Sequence, residues 1–559
     1  NSSDTDGAVA YSIAFTDGTN AGTAVTSGSG SVTFDKTVPT LSSVAIASNN
    51  STATLAKVDD VVTLTFTASE TIQTPVVTFT SGSAAVTDTS ITYTNTSGNT
   101  WTAAYTANTS DTAGTVAYSI AFTDSVGNAG TAVTSGSGSV TFDKTVPTLS
   151  SVAIASNNST TTLAKVDDVV TLTFTASETI QTPVVTFTSG SAAVTDTSIT
   201  YTNTSGNTWT AAYTANTSDT NGTVAYSIAF SDLSSNAGTA VTSGSGSVTF
   251  NKAVPTLSSV AIASNNTTTT LAKVDDVVTL TFTASETIQT PVVTFTSGSA
   301  AVTDTSITYA NASGNTWTAA YTANTSDTDG AVAYSIAFTD LYSNAGTAVT
   351  SGSGSVTFDK TVPTLSSVAI ASNNSTATLA KVDDVVTLTF TASETIQTPV
   401  VTFTSGSAAV TDTSITYTNT SGNTWTAAYT ANTSDTAGTV AYSIAFTDSV
   451  GNAGTAVTSG SGSVTFDKTV PTLSSVAIAS NNTTTTLAKV DDVVTLTFTA
   501  SETIQTPVVT FTSGSAAVTD TSITYTNTSG NTWTAAYTAN TSDTNGTVAY
   551  SIAFSDLSS

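Results

Sequence analysis

Between Thr37 and Lys144 apolar residues recur at every second position in short runs. Val44 and Ile46 stand among small residues. Val62, Leu64, Phe66 and Ala68 alternate with Thr63, Thr65 and Thr67. Pro75 opens a run in which Val77 and Phe79 share a side. Ile91 with Tyr93, then Trp101, Ala103 and Tyr105, then Val116, Tyr118, Ile120 and Phe122, then Val140 and Phe142 continue the pattern. Period-2 alternation gives each strand one apolar side. Turn sequences such as Asn49-Asn50-Ser51 and Ser97-Gly98-Asn99 separate the runs. Seven such strands predict an all-β sandwich, two antiparallel sheets enclosing one core. Trp101 is expected between the sheets, and Thr63, Thr65 and Thr67 in solvent. Tyr118 is a candidate for the corner tyrosine of a sandwich.

The pattern repeats. Trp101, Trp209, Trp317, Trp425 and Trp533 follow one another at intervals of 108. Phe34-Asp35-Lys36-Thr37-Val38-Pro39 returns as Phe142-Asp143-Lys144-Thr145-Val146-Pro147 at the same spacing. A period of 108 is the size of one independently folding sandwich. Val-Pro marks the boundary, because Pro stiffens a linker and cannot donate to a strand ladder. The expected division is 37–144, 145–252, 253–360 and 361–468 as complete immunoglobulin-like repeats. Residues 1–36 would supply only the last two strands, and 469–559 would lack the last one. A lone hairpin buries too little to be stable, so a window on a longer array is expected. The alternative is that Ala8–Phe34 complements the open end of a neighbouring chain.

Charge narrows the function. Ten Lys and no Arg face 38 acidic residues, for a net charge of −28. Such a surface repels nucleic acid and anionic membranes and attracts divalent cations. Cys, His and Met are absent. Without Cys there is no disulfide, thiol nucleophile or zinc-thiolate site. Without His the commonest general base is missing, and no catalytic constellation can be named. No apolar run is long enough to span a bilayer. Export and anchoring segments, like an initiator Met, are expected outside these residues.

In a seven-strand sandwich the chain enters at one pole and leaves at the other. The loops after the second and sixth strands lie beside the preceding linker. Linker Asp143, Glu178 and Asp232 should therefore meet at one junction. Three carboxylates from separate loops repel unless a cation sits among them, and hard cations want several oxygens at one point. The same reading gives Asp35, Glu70 and Asp124; Asp359, Glu394 and Asp448; and Asp467, Glu502 and Asp556. Glu286 and Asp340 meet Asn251 in place of the linker Asp, a weaker set. The plainer alternative is solvated loop acids that never meet. Asp167-Asp168 and Asp111 read as turn residues. An isopeptide link through Lys57 or Lys144 is disfavoured, because neither Lys is expected to be buried with Asn and an acid. The sequons at Asn95 and Asn108 read as turn sequences.

Three motifs together resemble bacterial Ig-like repeat domains of large surface adhesins, of the biofilm-associated and RTX-adhesin stalk kind. They are the Phe142–Pro147 linker, the loop Thr123-Asp124-Ser125-Val126-Gly127-Asn128-Ala129-Gly130, and the turn Ala68-Ser69-Glu70-Thr71-Ile72. The resemblance implies an extracellular, cell-surface spacer, rigidified by Ca2+, that holds an adhesive tip away from the cell. Neighbouring repeats of the same chain are the expected partners. Each repeat would add ~40 Å, since a strand of about nine residues spans roughly 30 Å. The second reading is a self-assembling filament or sheath, with like chains packed laterally or joined by strand complementation. Carbohydrate binding is disfavoured, because Tyr342 is the only aromatic in the loops equivalent to Asp124–Asn128.

Overall fold

In the computed structural model, which describes residues 1–559, the chain folds into β-strands without a helix. No helix is therefore long and apolar enough to cross a membrane. The chain forms two compact units, Asn1–Pro255 with Thr339–Gly346, and Thr256–Phe338 with Thr347–Ser559.

In the first unit, residues 37–144 carry nine strands: β1 (Leu41–Ser48), β2 (Leu55–Ala56), β3 (Val61–Ala68), β4 (Val76–Ser81), β5 (Ala84–Ala85), β6 (Thr92–Ser97), β7 (Thr100–Thr106), β8 (Gly114–Ala121) and β9 (Thr141–Phe142). One sheet has the order β1-β3-β7-β6, the other β2-β9-β8-β4-β5. Leu64 lies opposite Ala103, and Phe66 opposite Trp101. Phe79 lies opposite Tyr118 across β4 and β8. β9 runs parallel to β2, with Thr141 beside Leu55. These are tandem immunoglobulin-like sandwiches, with the seven expected strands present. β2 and β5 are additions that two-residue runs gave no periodicity to reveal.

The alternation sets the core. Val62, Leu64, Phe66 and Ala68 are buried, while the Thr residues between them are half-exposed. Phe66, Tyr105 and Phe142 are the largest fully buried side chains here. The rings of Phe79 and Tyr105 meet at 4.9 Å and 43° across the two sheets, a tilted geometry aromatic quadrupoles favour. Burying one such side chain stabilises by roughly 1.5–3 kcal/mol. Gly114 has φ +139, and a Cβ there would lie 2.8 Å from Gly82 Cα, so the turn after β4 can press against the start of β8.

Three expectations need correction. Trp101 is only half-buried and packs at the margin of the core, because it sits near the start of β7, opposite Asn95 of edge strand β6. Tyr118 is buried, but its hydroxyl makes no hydrogen bond, so it is not a corner tyrosine. Tyr93 takes a backbone contact instead, its hydroxyl accepting from Val77 N at 2.9 Å. The threonine face is also not fully solvated: Thr67 and Thr100 hydroxyls lie 3.0 Å apart.

Both sheets recur in 145–252 of the first unit, and in the strands of 253–360 and 361–468 of the second. Residues 1–36 form one two-residue strand pair, Gly7–Ala8 with Thr33–Phe34, and two isolated antiparallel bridges, Ile13 with Val25 and Thr16 with Ala21. There Val32 is 67% exposed, whereas its counterpart Val140 is fully buried. Residues 469–559 keep the four-stranded sheet and three strands of the other.

Candidate metal centre

Asp143 follows strand Thr141–Phe142 directly. Its N–H donates to Ala56 O at 2.9 Å, and its Oδ1 accepts from Thr145 N at 2.8 Å. This local Asx turn fixes the carboxylate at the head of the next repeat. Glu178 lies in the turn after strand Val169–Ala176. That turn is tied to the linker, with Ser177 N donating to Thr148 O and Thr148 N to Ser177 Oγ at 3.0 Å. Asp232 follows strand Gly222–Ala229 and is 2% exposed. It accepts from Asn236 N and from Asn236 Nδ2, each at 2.8 Å. Asn236 Nδ2 also donates to Asp143 O at 3.0 Å, so one amide joins loop to linker.

The carboxylate oxygens of Asp143, Glu178 and Asp232 lie within 4.8 Å of one another. Asp35, Glu70 and Asp124 form the same group in the first unit, and Asp359, Glu394 and Asp448 form it in the second. In each, the linker Asp and the Glu are half-buried and the loop Asp is buried. These three groups could hold a metal ion. Hard divalent cations take several carboxylate and carbonyl oxygens at 2.3–2.6 Å in flexible geometry, and the donor sets here are all oxygen.

The electrostatics show the strain of gathering like charges. Burial pushes the Glu178 carboxyl above its ordinary range, and Asp143 and Asp232 push it further. Glu70 is raised in the same way, by burial and then by Asp35, Asp124 and Asp6. Glu394 is raised by burial, Asp359, Asp448 and Asp329. Asp124 behaves oppositely. Burial alone would raise it, but hydrogen bonds from Asn128, Val126 and Gly127 outweigh that and hold it low. The loop Asp is thus a fixed anion, and the Glu is the member that a proton or cation would relieve.

The remaining acids behave differently. Asp340 is fully buried and accepts from Asn344 N and Nδ2 at 2.8 and 2.9 Å. Glu286 is half-buried after strand Val277–Ala284. Asn251 turns its side-chain oxygen to Asn221 Nδ2 at 3.0 Å and Ala253 N at 2.8 Å. Asp467, Glu502 and Asp556 are neighbours at the head of the last repeat, with the Glu502 and Asp467 carboxyls in hydrogen-bond contact. Glu502 is raised by burial and by both neighbours, while Asp556 caps Ser558 and Ser559 hydroxyls.

Asp6 and Asp329 were not singled out from sequence. Asp6 accepts from Lys36 N at 2.9 Å and from the Thr37 hydroxyl. Asp329 accepts from Lys360 N at 2.8 Å and Thr361 Oγ1 at 3.0 Å. Each adds a fourth carboxylate near one group. The signal was present: the residue before the glycine that opens β8 varies, as Asp6, Ala113, Asn221, Asp329, Ala437 and Asn545. Asp168 and Asp111 are turn residues. Asp168 accepts from Lys165 N at 2.8 Å, and buried Asp111 from Thr87 N at 2.7 Å and Asn108 N at 3.0 Å. Lys57 pairs with Asp60 at 3.2 Å. Lys144 donates to Thr109 and Asp111 carbonyls.

No protein-family model and no curated protein matches the chain. Among solved structures, a tetra-tandem repeat in the extending region of a large adhesion protein is 14% identical, covers 76% of this chain and 100% of its own, and has a TM-score of 0.30. An I-band fragment of titin is 10% identical, covers 58% of this chain and 100% of its own, with a TM-score of 0.28. Both are tandem-repeat proteins, and at these scores neither likeness carries a functional argument.

Proposed function

We propose that this chain is the spacer of a bacterial cell-surface adhesin, an extracellular stalk whose inter-repeat junctions bind calcium. The observation that carries the reading is the recurring carboxylate group at the junctions, built each time from a linker, a turn and a loop. The junction gathers an acid from the linker and two from the next repeat, and a shared cation would relieve their mutual repulsion. The polar, anionic surface suits a soluble spacer. Small-angle scattering on fragments 37–252, 37–360 and 37–468 in calcium tests the stalk. The reading expects the maximum dimension to grow by a constant increment per repeat. Growth like that of a compact globule would contradict it.

A further inference from the structure

The turn after β1 does work that the cation reading leaves unexplained. Asn50 Nδ2 donates one hydrogen to Asp60 Oδ2 at 2.7 Å and the other to the carbonyl of Ser234 in the following repeat at 2.9 Å. Its Oδ1 accepts from Thr52 N at 3.1 Å. Asp60 is 7% exposed and is itself held by Lys57 N at 2.8 Å. An ionised carboxylate only accepts, so Asp60 fixes which way the amide faces. The second N–H must then point at the neighbour.

The same contact recurs in both units. Asn158 donates to Asp168 and to Tyr342 O, Asn266 to Asp276 and to Val450 O, and Asn374 to Asp384 and to Ser558 O. The acceptors are Ser, Tyr, Val and Ser, yet each offers the same main-chain oxygen. We propose that this Asp-braced asparagine is a docking clamp for the following repeat, which reads backbone and not side chain, and which holds the junction without a cation. Repeats that differ in this loop are then interchangeable neighbours. The clamp also grips the loop that carries Asp232, which Asn236 ties to Asp143 O. It is a positioning element for the candidate metal centre and does not itself belong to it.

The chain has no cysteine, so paired nitroxide labels on introduced cysteines report single distances. Exposed Thr94 and Thr202, each replaced by Cys in the whole chain, report the distance between consecutive repeats. The measurement is made in chelator, so it can fail while calcium binding stands, and the reverse. The parent chain should give a narrow distance distribution. Asn50→Ala should lose it, and so should Asn50→Ser, which keeps an oxygen for the turn. Labels at Thr94 and Thr131, both within one repeat, should give an unchanged distribution in whichever Asn50 variant is scored. Ser234→Tyr and Ser234→Val, side chains found at this loop position elsewhere, should keep the narrow inter-repeat peak. A narrow peak surviving in a folded Asn50 variant would overturn the clamp. Loss of the peak in both Ser234 variants would overturn backbone reading.

Discussion

Replacing Glu178 by Gln separates the repulsion at a junction from the binding it prepares. The oxygens of Asp143, Glu178 and Asp232 lie within 4.8 Å of one another. Two unit charges at that spacing repel by about 1 kcal/mol in bulk water and about 3 kcal/mol at an effective dielectric near 20. Asp143 and Glu178 are half-exposed, so solvent screening favours the lower figure. Gln keeps the size of Glu and removes its two repulsions. Without calcium, Glu178→Gln should therefore stabilise the junction by roughly 1–2 kcal/mol. In a domain of this size that raises the unfolding midpoint by roughly 4–8 °C per kcal/mol. Extracellular calcium modules bind with dissociation constants on the order of 10⁻⁴–10⁻³ M. At 100 times that constant the parent should gain about 2.7 kcal/mol, and the variant should gain little. Calorimetry of fragment 37–252 in chelator and in calcium reads both effects. Opposite signs in the two conditions are the signature. A variant less stable than the parent in chelator, or one keeping the parent's calcium shift, would refute the reasoning.

The acid limb follows from the same group. The folded Glu178 carboxyl lies above its ordinary 4.5, so without calcium its contribution is fully present below that value and lost as pH rises through the raised one; urea titrations across this range should show the loss in the parent and not in Glu178→Gln. Phe174 is fully buried, and Phe174→Ala should cost about 3–5 kcal/mol, measured by denaturant unfolding; Trp209→Ala should cost less, because Trp209 is half-buried. Gly222 has φ +140, with a Cβ position 2.8 Å from Gly190 Cα, so Gly222→Ala should cost more than about 1 kcal/mol, read as a lowered unfolding midpoint.

Much of this architecture was legible because period-2 alternation is a direct record of burial. Val62, Leu64, Phe66 and Ala68 announced both their strand and its inward face. Leu55–Ala56 and Ala84–Ala85 could not, since two residues carry no period. Trp101 was misplaced because alternation gives a side of the sheet and not a distance from its end. The junction acids were legible through loop order, which fixes the pole where each loop emerges. Asp6 and Asp329 escaped because their position varies between repeats, as Asp, Ala or Asn. Asn50 escaped for a different reason. Its partner is a backbone carbonyl 184 residues away, and a carbonyl has no sequence signature. The missing third acid at Asn251 was visible, but not that its amide would turn to Asn221.

The most direct test of the account counts calcium ions. Equilibrium dialysis of the whole chain, first stripped with chelator, should show three bound ions, one for each carboxylate group, with a dissociation constant on the order of 10⁻⁴–10⁻³ M. The combined change Glu70→Gln, Glu178→Gln and Glu394→Gln leaves the loop caps of Asp124, Asp232 and Asp448 in place, and it should abolish this class of sites. Saturable binding of the same stoichiometry in that variant, or none in the parent, would contradict calcium-bearing junctions.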